Sequence, residues 1–266
     1  MRITLALQHA TESIPRLDAE ILLAYSLGKS REWLIIHSDA EIETAAFEKL
    51  VAQRKAGKSV AALIGKKEFF GLEFTVDENV LIPRPETELL VEEILKLKPA
   101  SLLDVGCGSG CIAISVAKNL TTCEISACDI SPAALAVAKK NMENHAVAIQ
   151  FFQSDLLAEI SGSYEIIAAN LPYIPLEDTD IEAGVKAFEP HTALFGGESG
   201  LEIITRLLQQ IAKLPTLPRF VLLEIGINQA EELEKIISTI IPAARVEFIK
   251  DFQGIQRVAK IEIKNI

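Results

Sequence analysis

Apolar residues follow two different rhythms along this chain, and the change between them falls near residue 70. Before it they recur at three- and four-residue spacing over residues 16–27, 31–37 and 44–56, which predicts amphipathic helices. Ser30, with Glu32 and Trp33 behind it, suits the capped start of the middle helix. Residues 1–10 also read as an amphipathic helix and lack the long apolar core of a signal peptide. These segments predict a small helical bundle over residues 1–67. No polar constellation converges in it, and His9 and His37 read as ordinary surface or satisfied residues. The expected role of the bundle is therefore substrate recognition. Residues 69–80 carry two β-prone pieces around Gly71, so residues 68–84 are expected to form a β-hairpin linker. From residue 85 to 266, helical patterns alternate with short apolar runs. That alternation predicts an α/β domain, a parallel-dominated sheet with helices on both faces. The runs at residues 219–224, 244–249 and 257–263 close it, and Asp251-Phe252-Gln253-Gly254 predicts an antiparallel final hairpin. The helix over 229–239 has a polar face with Glu231, Glu232 and Glu234, read as solvation.

The ends of the apolar runs carry the chemistry. Leu102-Leu103-Asp104-Val105 runs into Gly106-Cys107-Gly108-Ser109-Gly110 and then a helix. Glycine at every second position lets the backbone turn tightly and lie flat against a ligand. The spacing differs from the G-x-G-x-x-G dinucleotide fingerprint, and Asp104 would repel a phosphate. A cationic amino-acid ligand suits it better. After residues 124–128 comes Asp129, an acid placed to accept both hydroxyls of a ribose. After residues 148–152 comes Ser154-Asp155-Leu156, where an acid and an apolar residue suit an adenine edge. Each signal is weak alone, but acids and glycines in this order at successive strand ends point to S-adenosylmethionine. The expected cofactor contacts are Asp104, Val105, Gly106, Cys107, Gly108, Asp129, Asp155, Leu156 and Asn170.

Asn170-Leu171-Pro172-Tyr173 follows another apolar run, residues 164–169. Ligands of open α/β sheets bind just beyond the carboxyl ends of strands. Pro172 fixes its own φ and pushes Leu171 toward an extended conformation. The Asn170 amide oxygen, the Leu171 carbonyl and the Tyr173 ring are then expected to converge on a planar NH2 group, with Asn170, Leu171, Pro172 and Tyr173 forming the catalytic and acceptor-binding loop.

With these stretches in hand, the chain resembles the release-factor glutamine methyltransferases (PrmC, also called HemK) over nearly its whole length. The resemblance rests on Asp18-Ala19-Glu20-Ile21-Leu22-Leu23-Ala24, on Phe69-Phe70-Gly71-Leu72-Glu73-Phe74, and above all on Val80-Leu81-Ile82-Pro83-Arg84-Pro85-Glu86-Thr87-Glu88. It extends through the loop from Asp104, through Asn170 to Tyr173, and through Glu189-Pro190-His191-Thr192-Ala193-Leu194-Phe195-Gly196-Gly197. Gly200-Leu201 and Leu223-Glu224-Ile225-Gly226 complete it. The family usually has two prolines after the asparagine, and this chain has Leu171 then Pro172. Leucine keeps the carbonyl and loses one rigid residue. The resemblance implies a Rossmann-like class I methyltransferase with a seven-stranded sheet behind an N-terminal helical bundle. It also implies the acceptor, the N5 amide nitrogen of the glutamine in the Gly-Gly-Gln loop of class I peptide chain release factors. His191 lies in a matched stretch without a direct role assigned to it.

Charge bears on the alternatives. Asn-Leu-Pro-Tyr also resembles the motif of ribosomal RNA adenine dimethyltransferases, so a nucleic-acid N6-adenine methyltransferase is one alternative. A ribosomal-protein glutamine methyltransferase is a second, and a non-catalytic cofactor-binding module a third. The formal net charge is −11 and the pI about 5.0. Nucleic-acid binding draws on Lys and Arg against phosphate, so an acidic chain argues for a protein partner rather than RNA or DNA. No apolar stretch approaches the roughly 20 residues of a membrane span, and a cytoplasmic location is expected. Cys107, Cys111, Cys123 and Cys128 match no common zinc spacing and read as small buried thiols, so no metal is expected.

Overall fold

The computed structural model describes residues 1–179 and 181–264. Its contacts divide into two units, Met1–Lys66 with Asp180–Glu189, and Lys67–Thr179 with Pro190–Ile266. In the first unit, α1 (Ile3–Thr11), α2 (Arg16–Leu27), α3 (Arg31–Ile36), α4 (Ala45–Lys55) and α5 (Val60–Ile64) follow in order. The side chain of Ser30 accepts from the Trp33 N–H at 3.2 Å, and Ser59 caps α5 in the same way through the Ala62 N–H. Ile3, Leu22, Leu23, Leu34 and Phe47 form the apolar centre of these helices.

In the second unit, β1 (Lys66–Phe69) and β2 (Leu72–Thr75) form a hairpin. Phe70 and Gly71 turn it with φ of 51° and 70°. Two consecutive positive φ values match the right-handed twist of the flanking strands. The hairpin ends at Thr75, short of residue 84, and residues 76–84 continue irregularly with Val76, Val80 and Ile82 buried. A 3-10 turn at Pro85–Thr87 leads into α6 (Glu88–Leu97). Then follow β3 (Ser101–Val105), α7 (Cys111–Asn119), β4 (Glu124–Asp129), α8 (Pro132–His145), β5 (Gln150–Gln153), β6 (Ile166–Ala169), β7 (Ile174–Pro175) and α9 (Ala183–Phe188). The chain closes with β8 (Phe195–Gly197), α10 (Glu202–Ile211), β9 (Phe220–Glu224), α11 (Ala230–Ile240), β10 (Ala244–Lys250) and β11 (Gln256–Ile263).

Seven of these strands form one sheet in the order β10-β11-β9-β6-β3-β4-β5. β5, β4, β3, β6 and β9 run parallel, while β11 is antiparallel to both β9 and β10. The chain leaves β3 toward β4 and β5, then returns to β6 on the other side of β3. That reversal opens a crevice at the carboxyl ends of β3, β4 and β6, where open α/β sheets bind ligands. Both faces are covered. Leu90, Ile94, Ile114 and Ala138 pack on one, and Leu207, Leu208, Leu233 and Ile237 on the other. Unbroken burial along β6 and β9 is what two covered faces require.

Three local features escape the pattern of the sequence. β6 begins at Ile166 rather than at Tyr164, because the Glu165 carboxylate turns aside to accept from the Ala100 N–H at 2.8 Å. β7 and β8 make a short parallel pair, too brief for any hydrophobic period. The segment carrying α9 belongs with the N-terminal helices: a Cβ on Gly184 would lie 2.2 Å from the Gly57 carbonyl oxygen, so two backbones touch there. Among the described residues no helix is long and apolar enough to cross a membrane.

A buried amide ties the hairpin to the sheet. Asn141, fully buried on α8, accepts from the Thr75 N–H at 2.8 Å and donates to the carbonyls of Thr75 and Ser109, each at 2.9 Å. Asn141→Ala should cost about 2–4 kcal/mol, because buried backbone groups lose their partners together. Urea denaturation checks it, and a midpoint within error of the wild type would remove Asn141 from this role.

Candidate active site

At the end of β3 the backbone reaches across to β4. The N–H groups of Gly106 and Cys107 both donate to the Cys128 carbonyl, at 2.8 and 3.0 Å. Gly106 has φ of +73°, and a Cβ there would come within 2.8 Å of the Leu171 side chain. Glycine is therefore needed twice over, for conformation and for space. Leu171 is buried and fills the volume beside it.

Asp129 ends β4. One carboxylate oxygen accepts from the Gly108 N–H and the other from the Ser131 N–H, both at 2.9 Å. A carboxylate offers about four lone-pair positions, so two remain for a ligand. The Ser154 N–H donates to the Asp129 carbonyl at 3.0 Å, which brings in the third strand end. Beyond it, Leu156 takes φ of +55°, and Asp155 pairs with Arg206 at 2.6 Å on the exposed rim.

These groups surround a cavity of about 370 Å³. Its wall brings together Val105, Gly106, Cys107, Gly108, Asp129, Asp155, Leu156, Asn170, Leu171 and Pro172 among the residues expected from sequence. Two expected residues stand apart. Asp104 is fully buried behind the wall, where its carboxylate accepts from the Ala113 N–H of α7 at 3.2 Å while its other oxygen has no partner. Burial, with the Asp129 charge adding to it, pushes its pKa up to about 7. Tyr173 does not line the cavity either. Its hydroxyl donates to Glu224 at 3.2 Å, and burial together with the Glu224 charge holds its pKa well above the ordinary range. Its carbonyl accepts from the Gln229 side chain at 2.8 Å, whose oxygen takes the Gly226 N–H at 2.8 Å. His191 sits edge-on to Phe195 at 5.5 Å. The four thiols are free, and burial raises their pKa values, to about 12 at Cys111 and Cys128.

Residues with no chemical reading in the sequence complete the site. The Asn170 side-chain nitrogen donates to the Thr87 hydroxyl at 3.0 Å. Thr87 is 1% exposed, and so is Glu224, which accepts from the Tyr173 hydroxyl. Burial pushes the Glu224 pKa up to about 7, opposed by the nearby Thr87 and Tyr173 hydroxyls and by the charge of Arg257. A threonine in a turn reads as a cap. Glu224 did carry a signal, since it closes a run of buried apolar residues as Asp104 and Asp129 nearly do.

Comparisons with known proteins place this geometry. The PrmC N-terminal domain matches residues 1–65, and the Methyltransferase small domain matches residues 85–195. Release factor glutamine methyltransferase of Koribacter versatilis is 38% identical over 262 residues, covering 95% of this chain and 92% of that protein. The chain belongs to the release factor glutamine methyltransferase family. The family member of the same name from Rhodopirellula baltica is 43% identical over 210 residues, covering 73% of this chain and 71% of that protein. A methyltransferase from Pyrococcus furiosus shares the fold, with a TM-score of 0.56 at 19% identity over 82% of this chain and 98% of that one. The expected seven-stranded class I methyltransferase architecture is thus the observed one.

The pocket of this family member fits S-adenosylmethionine on its own features. It offers open backbone along the 106–108 loop, two remaining acceptor positions on Asp129, and apolar Ile130 and Leu156. Asp129→Ala should weaken S-adenosylmethionine binding by about ten-fold or more, the effect of leaving buried partners unmade. Titration calorimetry measures it, and an unchanged Kd would remove Asp129 from the ribose role.

Proposed function

We propose that this chain transfers a methyl group from S-adenosylmethionine to the side-chain amide nitrogen, N5, of the glutamine in the Gly-Gly-Gln loop of class I peptide chain release factors. Family membership supports the identity of the acceptor. The observation that carries the chemistry is the Asn170 carboxamide: its nitrogen is committed to Thr87, which leaves its oxygen for the cavity. S-Adenosylmethionine supplies a sulfonium methyl already activated for transfer.

The work left to the protein is alignment. A glutamine amide nitrogen is a poor nucleophile, because its lone pair is delocalised into the carbonyl. The Asn170 oxygen and the Leu171 carbonyl accept its two N–H bonds. They hold the nitrogen in line and stabilise the positive charge that develops on it. Transfer would break the sulfonium S–CH3 bond and leave S-adenosylhomocysteine, and the proton of the cationic nitrogen would then pass to solvent, so no base is needed beforehand. Asp129 would hold the ribose hydroxyls, and Leu156 and Ile130 would cover the base. Tyr173 braces the wall from behind through Glu224.

Asn170→Ala and Asn170→Asp should each lower single-turnover methylation of a release factor by about 10²–10³-fold, the loss typical of removing one preorganised partner. Cofactor affinity should change far less. Near-normal transfer by Asn170→Ala would defeat the mechanism.

Recognition of the protein substrate is assigned to the N-terminal helices. Charged groups in them are paired with one another, Glu20 with Arg16 and Arg31 and Asp18 with Arg54, while α3 leaves Ile35 and Ile36 exposed at 71% and 76%. Replacing both with Glu should raise KM for a release factor about ten-fold while Kd for the cofactor stays the same. An unaltered KM would move recognition elsewhere.

A further inference from the structure

Among the described residues of the second unit, four large apolar side chains stand exposed: Ile130, Leu176, Ile227 and Phe252. All four leave the sheet at the same edge. Ile130 follows the end of β4, Leu176 follows β7 at the end of the loop that leaves β6, and Ile227 lies just past the end of β9. Phe252 tips the turn between β10 and β11. Val258 of β11 pairs with Glu224, the last residue of β9, which brings that turn to the carboxyl edge too. The opposite edge is finished differently. Phe220, at the start of β9, has the Arg219 guanidinium 5.0 Å and the Lys260 ammonium 6.0 Å from its ring centroid, and Arg219 pairs with Glu165 at 3.5 Å.

A single exposed apolar side chain on a loose loop means nothing. These residues sit on backbone that is held. The Leu176 N–H donates to the Gly197 carbonyl at 2.9 Å, beside the β7–β8 pair. Ile227 lies in a turn closed by the Gln229 side chain, which accepts from the Gly226 N–H and donates to the Tyr173 carbonyl, both at 2.8 Å. Asn228 completes that turn with φ of +67°. Under Phe252, one Asp251 carboxylate oxygen accepts from the N–H groups of Gln253 and Ile255, at 2.9 and 3.0 Å, and the other from the Arg257 guanidinium at 3.1 Å. Phe252 is nevertheless fully exposed. The backbone beneath these side chains is ordered before any partner arrives, so covering them buries apolar surface at little further loss of entropy.

Sheet order divides the four. Ile130 lines the cofactor cavity with Asp129 and Leu156, on the side of β3, β4 and β5. Leu176, Ile227 and Phe252 lie on the other side of Asn170, past the ends of β6, β9 and the β10–β11 pair, which are neighbours in the sheet. Four adjacent strands span about 14 Å at the usual spacing, the length of about four extended residues. Resting on the methyl-transfer reading above, we propose that Leu176, Ile227 and Phe252 form a docking rim for the polypeptide segment that adjoins the acceptor glutamine, held by its apolar side chains. A glutamine side chain that reaches Asn170 must enter at this edge, so the chain carrying it crosses the side of the mouth that the cofactor leaves open. An apolar rim on a chain of net charge −11 suits a polypeptide and disfavours a phosphate backbone.

The rim differs from the contact assigned to α3. It belongs to the catalytic unit and serves the residues beside the reacting amide, so it acts on a short peptide as well as on an intact protein. It touches no reacting atom. Its contacts are the same in the bound substrate and in the transition state, so their loss appears in KM and not in kcat.

The test uses the full-length chain with Leu176→Ser, Ile227→Ser and Phe252→Ser combined, and Phe252→Ser alone as a milder variant at a turn tip. All three side chains are in solvent, and an unchanged Kd for S-adenosylmethionine checks that the fold holds. For the triple variant, KM should rise about ten-fold or more, with kcat retained, both for a class I release factor and for a peptide of about ten residues centred on its Gly-Gly-Gln. Phe252→Ser alone should raise both KM values about three-fold. Kd for the release factor, measured by calorimetry with S-adenosylhomocysteine present, should weaken in step with KM. Unchanged KM and Kd would overturn the proposal, and so would a rise confined to the intact factor, which would place the contact away from the glutamine. If the wild type methylates a different protein and no release factor, a KM for that protein that rises in the triple variant supports the rim and sinks the acceptor assignment alone, while a KM that stays the same sinks both. RNA as the one methylated acceptor would also overturn both.

Discussion

Parallel strands that all stop at one edge leave a row of backbone groups that no further strand can pair, and this site is built from how the loops satisfy them. The N–H groups of Gly106 and Cys107 go to the Cys128 carbonyl, Gly108 goes to the Asp129 side chain, and Ser154 goes to the Asp129 carbonyl. Further along the edge, Gln229 links the Gly226 N–H to the Tyr173 carbonyl. Each bond removes the cost of a buried unpaired group and fixes where the next loop lies. The cavity is the space these mutual obligations leave. That is why one missing Cβ, at Gly106, matters: the loop after β6 can approach the loop after β3 only because Leu171 finds room there.

Three acids sit at strand ends on this edge, and their surroundings give them three different uses. Asp129 is half-exposed, receives two backbone N–H groups, and keeps acceptor positions for a ligand. Asp104 is sealed in with one N–H, so its charge is costly and its carboxyl is raised toward neutrality. It braces the start of α7 from behind the cavity wall. Glu224 is sealed in with the Tyr173 hydroxyl, and burial raises its carboxyl toward neutrality. The same functional group, at the ends of β4, β3 and β9, is left open to the cavity, sealed against α7 or tied to a tyrosine according to what desolvates it and what bonds it.

How far the sequence anticipates this follows from the same distinction. The strands were legible because two covered faces demand unbroken apolar runs, as in β6 and β9, and the final hairpin because Asp251 to Gly254 can only turn. The N-terminal helices were legible from their three- and four-residue period, with α5 lost because five residues carry no period. The cavity wall was legible where an unusual residue type ends a strand, as at Asp129, or where several glycines fall together. Thr87, Gln229 and Asn141 were not, because their meaning lies in partners 83, 56 and 66 residues away in the chain. No local pattern encodes such a pairing. Tyr173 illustrates the converse. An aromatic ring beside an asparagine reads as a stacking face, yet its hydroxyl is better satisfied by a buried carboxyl than by solvent, and that bond turns the ring toward β9.

That last competition also explains how the loop tolerates a leucine where the resemblance leads one to expect a second proline. A proline at 171 would stiffen the loop through its own ring. In this chain the stiffness comes from outside. The Leu171 side chain is buried beside Gly106, Gly196 lies so close that a Cβ would meet the Pro172 carbonyl at 2.4 Å, and Gly200 is packed as closely against the Tyr173 carbonyl. A segment held on both sides by backbone has few conformations left to lose, so a single rigid residue fewer costs it little. Preorganisation of Asn170 then depends less on the loop that carries it than on Thr87, which reaches it from the turn before α6 in the same unit.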